Sequence, residues 1–304
     1  MFNPQAWKVR EPVEVEVERL GSRPPRLLRD DGKELIYQEI RTAGVKVSSR
    51  IRLAFMDEFP SFGYALYYLD FSGKEDPPQT RAAETAVGRV MAGPDVLEND
   101  LVRVSFDGKS GAIRSYFDKT SNRELLRAPA EAIVLEDPDD TWGHRIKAYD
   151  KEVGRFGAAD FKVIESGPER GWIQIVTHFG ESSLLQDYIL YASINELHCR
   201  LTVNWNEYYN VLKIAIPTVL NMGTMTYSIP YGFIERPMNG EEEPGQTWVD
   251  ISGRETEGKV VTVLADKPIP YRLRPCEIKT ILLPLDRKKP PREVNFLEGI
   301  QFYH

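Results

Sequence analysis

Apolar and polar residues alternate with a period of two along most of the chain, the pattern of strands with one buried and one wet side. VEVEVERL puts Val13, Val15 and Val17 on one side and Glu14, Glu16 and Glu18 on the other. LLRDDGKELIY places Asp31-Gly32 between two strand-like runs and predicts a hairpin, because glycine accepts the positive φ of a tight turn. VSSRIRLAFMDEFPSFGYALYYLDF reads as two more strands broken at Phe59-Pro60, since proline cannot donate to a ladder. LVRVSFDGKSGAIRSYFD predicts a further hairpin, with Val102, Val104 and Phe106 on one face and DGKSG as its turn. More strands are expected at GWIQIVTHF, LLQDYILYASI, LHCRLTVNW, VLKIAIP, VVTVLAD and EIKTILLPL. The stretch GKEDPPQTRAAETAVGRVMAG has no clear periodicity and reads as a linker or crossing loop. The expectation is an all-β protein: a small β-sandwich over residues 1–80, a linker over 81–93 and a large β-sandwich over 94–304.

Composition narrows the function classes. The chain has 304 residues, 41% hydrophobic and 28% charged, enough for one large core or two smaller ones. Its net charge is 39 − 46 = −7, with Lys and Arg scattered, so no basic footprint for nucleic acid exists. No apolar run reaches the roughly 20 residues of a membrane span, and MFNPQAWKVR lacks the apolar stretch of a signal peptide. A soluble, cytoplasmic protein without membrane or nucleic-acid partners is expected. Of the two cysteines, Cys199 falls in LHCRLTVNW on one side with Leu197, Leu201, Val203 and Trp205. That side is expected to face a core, with Cys199 packing as a small hydrophobe.

Few residues offer chemistry at recognisable spacing. The four histidines, His144, His178, His198 and His304, form no close pair, and no C-x-x-C or H-x-x-x-H occurs, so no zinc cradle is legible. G-x-S-x-G and Walker-type glycine loops are also absent. Two stretches break the alternation with residues suited to sugars. EDPDDTWGHRI gathers Asp139, Asp140, Trp142, His144 and Arg145; an indole offers a flat face to a pyranose, and carboxylate or imidazole groups bind hydroxyls. An edge loop whose Trp142 plugs a core fits that stretch equally. PYGFIERPMNGEEEPGQTW sets Arg236, with its rigid fork of donors, between Glu235 and Pro237. The plainer alternative there is a surface Glu235–Arg236 pair followed by a solvated acidic loop at Glu241, Glu242 and Glu243.

FNPQAWKVREPVEVEV, LENDLVRVSFDGKSGAIRSYFDKTSNREL, DTWGHR, LHCRLTVNWNEYYNVLKIAIP and YGFIERPMNGEEEPGQTWVDIS, in that order, resemble the C-terminal β-region of α-mannosidases of glycoside hydrolase family 38. The resemblance implies that the large domain is a galactose-mutarotase-like β-supersandwich. It also implies a retaining glycosidase whose zinc ligands and Asp nucleophile lie in an N-terminal catalytic barrel, with no catalytic or metal-binding residue in this chain. This chain starts with a bare Met where the β-region starts, and the barrel is expected to be absent from it. In the family the β-region closes the substrate groove and lends an arginine and an aromatic residue to its rim. By motif position these are Arg236 and Trp142, with Asp140, His144 and Tyr231 as further substrate-binding candidates. The expected partners are an α-mannoside oligosaccharide and the catalytic barrel of the same enzyme, and a homo-oligomer is compatible with them. After VVTVLADK the chain departs from the family by running directly into PIPYRLRPCEIKTILLPL. From another class, a free-standing carbohydrate-binding or subunit-contact β-sandwich is the alternative, because such folds host lectins as readily as enzyme parts.

Overall fold

The computed structural model describes residues 1–20, 24–40, 50–72, 90–139, 146–255, 260–261, 280–282 and 292–294. Among them there are strands, turns and bends and no helix, as the alternating pattern predicts. The chain divides into two compact units, Met1–Glu84 with Ala265–His304, and Thr85–Leu264. Of the expected linker, residues 81–89 lie outside the described ones and Val90–Ala92 form a strand.

The first unit contains β1 (Val9–Glu18), β2 (Arg26–Arg29), β3 (Glu34–Leu35), β4 (Gln38–Ile40), β5 (Arg50–Phe59) and β6 (Tyr67–Asp70). They make two antiparallel three-stranded sheets, β1-β5-β4 and β3-β2-β6. Val13, Leu27, Leu35, Tyr37, Leu53 and Phe55 form their common core, with Val15 and Val17 packed against it. Burying each such side chain contributes about 1.5–3 kcal/mol. The opposite side of β1 is wet: Glu14 pairs with Arg52 at 2.8 Å and Glu16 with Arg50 at 2.9 Å. Leu27 lies across from Leu35 and Leu28 from Glu34, and Gly32 between them has φ 82°, so the hairpin written in LLRDDGKEL forms around its glycine.

The second unit runs from β7 (Val90–Ala92) through β8 (Val96–Asn99), β9 (Val102–Phe106), β10 (Ile113–Asp118), β11 (Arg123–Glu124), β12 (Glu131–Glu136), β13 (Glu152–Arg155), β14 (Gly157–Ser166), β15 (Arg170–Phe179), β16 (Ser182–Tyr191), β17 (Leu197–Asn204), β18 (Asn210–Ala215), β19 (Leu220–Ile229), β20 (Gly232–Arg236) and β21 (Val249–Glu255) to β22 (Val260–Val261). A last pair, β23 (Thr280–Leu282) with β24 (Arg292–Val294), falls within the first unit. The second unit holds four antiparallel sheets: β11-β10-β9-β8-β7, β13-β12-β18, β14-β15-β16-β17 and β20-β19-β21-β22. Phe106 of β9 meets Tyr188 of β16 at 5.0 Å between ring centroids and Phe161 of β14 at 6.5 Å, which joins the first of these sheets to the third. Gly171 marks the same contact, since a Cβ there would stand 2.8 Å from Val90 and 3.2 Å from Leu97.

β17 departs from the sequence reading. Cys199, Leu201 and Val203 are exposed rather than buried. Their row does continue the core face, because Val203 pairs with Leu184, Leu201 with Gln186 and Cys199 with Tyr188, all three partners buried. β17 is the edge strand of its sheet, and there the row is left open to solvent. The thiol of Cys199 still turns inward against Tyr188, and desolvation pushes its pKa up to about 11.

Candidate functional site

The second alternation-breaking stretch begins with a hairpin. Ile229 pairs with Gly232, so Pro230 and Tyr231 form the turn between β19 and β20. Tyr231 is fully exposed and has φ 64°, a left-handed conformation uncommon for a bulky residue. Arg236 ends β20 opposite Met225. Its guanidinium lies over the Tyr227 ring, 5.1 Å from the centroid, and its Nε stands 3.1 Å from Oε2 of Glu243. Through Nη1 it also donates to the carbonyl of Pro244. These contacts fix the plane of the guanidinium while leaving Nη2 outside them, with the side chain 17% exposed. The plainer reading of a Glu235–Arg236 surface pair therefore fails, because the carboxylate that engages Arg236 is Glu243.

The return of the loop is held by Ser228, which is buried. Its Oγ accepts from the backbone N–H of Thr247 at 2.7 Å and of Trp248 at 2.9 Å, and donates to the carbonyl of Trp248 at 3.1 Å. The Ser228 backbone adds hydrogen bonds to Gln246 and Trp248, each 3.0 Å. Phe233, across from Ser228 on β20, and Trp248, the last residue before β21, are both about half exposed here.

The loop centre docks on residues that directly follow the first alternation-breaking stretch. Glu242 donates its backbone N–H to the carbonyl of Lys147 at 2.7 Å, and its Oε1 accepts from the N–H of Tyr149 at 3.3 Å. The same oxygen forms an ion pair with Lys213 of β18, whose ammonium lies over the Tyr149 ring at 5.0 Å. Desolvation, with the charges of Asp137 and Glu242, raises the pKa of Tyr149. Tyr149 and Glu242, 93 residues apart in sequence, thus meet in space, and the acidic run 241–243 is an anchor rather than a solvated tip. Tyr149, Lys213, Tyr227 and Ser228 escaped the sequence reading, since each sits in an ordinary strand or turn context.

Residues 97–287 match the family model described as the glycosyl hydrolases family 38 C-terminal domain, more than half of the chain. The chain belongs to glycosyl hydrolase family 38. Alpha-mannosidase G of Dictyostelium discoideum is 27% identical over 191 residues, which cover 55% of this chain and 17% of that protein. Two Enterococcus faecalis crystal structures share the fold: a protein in glycosyl hydrolase family 38, with a TM-score of 0.58, and an alpha-mannosidase, with 0.57. Each is 14% identical and matches 82% of this chain, which in turn covers 36% and 35% of them. The chain thus spans about a third of those structures and less than a fifth of the curated relative.

Of the family 38 site candidates, Arg236 and Tyr231 lie on the β19–β20 hairpin just described, whereas Asp140, Trp142 and His144 lie outside the described residues. The segment that resumes at residue 146 reaches Glu242 within four residues, so the sequence neighbours of Trp142 and Arg236 are in contact. Among the described residues, no group of three His, Cys, Asp or Glu side chains is placed to hold a metal ion.

Proposed function

We propose that this chain is the carbohydrate-facing C-terminal region of a family 38 retaining α-mannosidase and completes the groove in which α-mannosides are hydrolysed. The nucleophile and the zinc ligands belong to the catalytic module, and this region supplies a wall. The observation that carries the reading is Arg236: Tyr227, Glu243 and Pro244 hold its guanidinium in one orientation, and Nη2 is left to reach a sugar hydroxyl. A donor fixed before substrate arrives lowers the cost of orienting the sugar for attack. The expected substrate is an α-mannoside oligosaccharide, and the expected partner is the catalytic barrel. The half-exposed apolar side chains Leu201 and Val203 on the β17 edge are consistent with docking to such a partner.

The test is Arg236→Ala in the α-mannosidase that contains this region, assayed with an aryl α-mannoside. Loss of a charge-assisted hydrogen bond predicts a fall in kcat/KM of about tenfold or more. An unchanged kcat/KM returns Arg236 to a purely structural role in its loop. The 304-residue chain alone, with or without added zinc, is expected to give no enzyme-like turnover, and turnover there overturns the assignment of catalysis to another module.

A further inference from the structure

The outer side of the β9–β10 hairpin carries an open cavity of about 480 Å³ lined by Arg103, Ser105, Arg114, Ser115 and Phe117. Register explains how these side chains come together. Ser105 lies directly across from Ser115, and Arg103 across from Phe117. Ile113 pairs with Phe106 and Ser115 with Ser105, so two steps along β10 match one step along β9, and Arg114 is the extra residue of a bulge. A bulge re-aims a side chain that strict alternation would send to the other face. Here it turns Arg114 to the same side as Ser115, beside Arg103.

The acids near the cavity engage the two guanidiniums only loosely. Arg103 stands 3.6 Å from Glu98, which lies closer to Lys119 at 2.7 Å, and Arg114 feels the charge of Asp107, whose Oδ1 is taken by the N–H groups of Lys109 and Ser110 and by the Ser110 hydroxyl. Glu124, the third nearby acid, is likewise turned into its own loop: it takes the Ser115 hydroxyl and the N–H groups of Tyr116, Leu125 and Leu126. Desolvation opposes its ionisation, but those hydrogen bonds outweigh it and hold its pKa below the usual carboxylate value. Ser115 is thereby spent as a donor, while the Ser105 hydroxyl has no hydrogen-bond partner among the described residues. The result is two guanidiniums and one hydroxyl converging on a cavity in a chain of net charge −7.

We propose that this cavity binds a tetrahedral oxyanion, phosphate or sulfate, free or as a sugar monoester. Arg103 and Arg114 offer paired N–H groups that match two oxygens of such a group, Ser105 contacts a third, and the Phe117 ring borders the space a sugar would fill. The site lies on a different sheet from Arg236 and does not depend on the role given to that residue.

The test titrates the 304-residue chain with inorganic phosphate and with sulfate, following thermal unfolding, against sodium chloride at matched ionic strength. Both oxyanions are expected to raise Tm with a dependence characteristic of one site at low millimolar concentration and chloride is not, because a specific ligand of the folded state acts there whereas the general stabilisation by excluded kosmotropic salts needs far higher concentrations. Arg103→Gln and Arg114→Gln are each expected to weaken phosphate binding about tenfold or more. Arg200→Gln, which removes the same charge from an exposed position on β17, is expected to leave it unchanged. A hexose 6-phosphate run beside free phosphate distinguishes the two sources, and binding of either supports the site. Three results overturn it: equal stabilisation by chloride, undiminished phosphate binding in the Arg103→Gln/Arg114→Gln double variant, or perturbation by unphosphorylated mannose with neither phosphate bound.

Discussion

Replacing Ser228 with alanine isolates what holds the Arg236 loop. The hydroxyl is buried and makes three hydrogen bonds within 3.1 Å to the backbone of Thr247 and Trp248. Its removal strands two backbone donors, each costing about 1–3 kcal/mol if left dry. Trp248 is half exposed, so water relieves part of that, and a loss of about 2–3 kcal/mol is expected. For a unit of this size, Thr85–Leu264, that corresponds to a fall in Tm of roughly 4–12 °C. Hydrogen exchange supplies the local readout: amides from Arg236 to Trp248 should exchange faster, while β15 and β16 change only with the global shift. Thr247→Val, which deletes only a 3.2 Å contact to the same serine, is the control and should cost under about 0.5 kcal/mol. A Ser228→Ala loss no greater than the control, with unchanged exchange in the loop, refutes the view that this hydroxyl sets the position of Arg236.

Other perturbations probe independent parts of the molecule. Arg170→Met leaves Glu165 buried without the partner that stands 2.6 Å away, and urea unfolding should show a loss of about 3–5 kcal/mol; a loss under 1 kcal/mol refutes the pairing. With its pKa raised from 9.0 to about 11, the Cys199 thiol should be alkylated at pH 8 about a hundredfold more slowly than an ordinary thiol, as peptide-resolved mass spectrometry can measure. The neutral thiol stabilises the fold below pH 9.0, and that contribution fades as pH rises toward 11, so unfolding experiments should lose a matching increment over this window. Glu242→Gln keeps the backbone contact to Lys147 but loses the charge facing Lys213; faster exchange at residues 240–244 is expected, with under about 1 kcal/mol of global cost.

Strand identity was legible wherever local pattern and local turn chemistry agree. Val13, Val15 and Val17 announced a one-sided strand, and Asp31-Gly32 announced its neighbouring hairpin, because both signals are complete within ten residues. Pro60 likewise marked the end of β5. What escaped was set by layers rather than by strands. Cys199, Leu201 and Val203 alternate as a core face should, but whether a face is covered depends on elements far away in sequence. The same holds at the candidate site: by its sequence neighbours Glu242 is one of three solvated acids, and only the fold brings Lys147, Tyr149 and Lys213 around it. The stretch from Asp140 to Arg145, half of the expected sugar surface, lies outside the described residues.

The doubled step at Arg114 also makes β10 adjustable in length. Deleting that one residue would let Ile113 and Ser115 keep their present partners Phe106 and Ser105 and restore an uninterrupted ladder, so nothing downstream would change sides. Elsewhere in a strand a single-residue deletion turns everything beyond it inside out. Evolution can therefore gain or lose this arginine by an indel as readily as by substitution, and relatives aligned without gaps through this hairpin will appear to lack it when they have only shortened the strand.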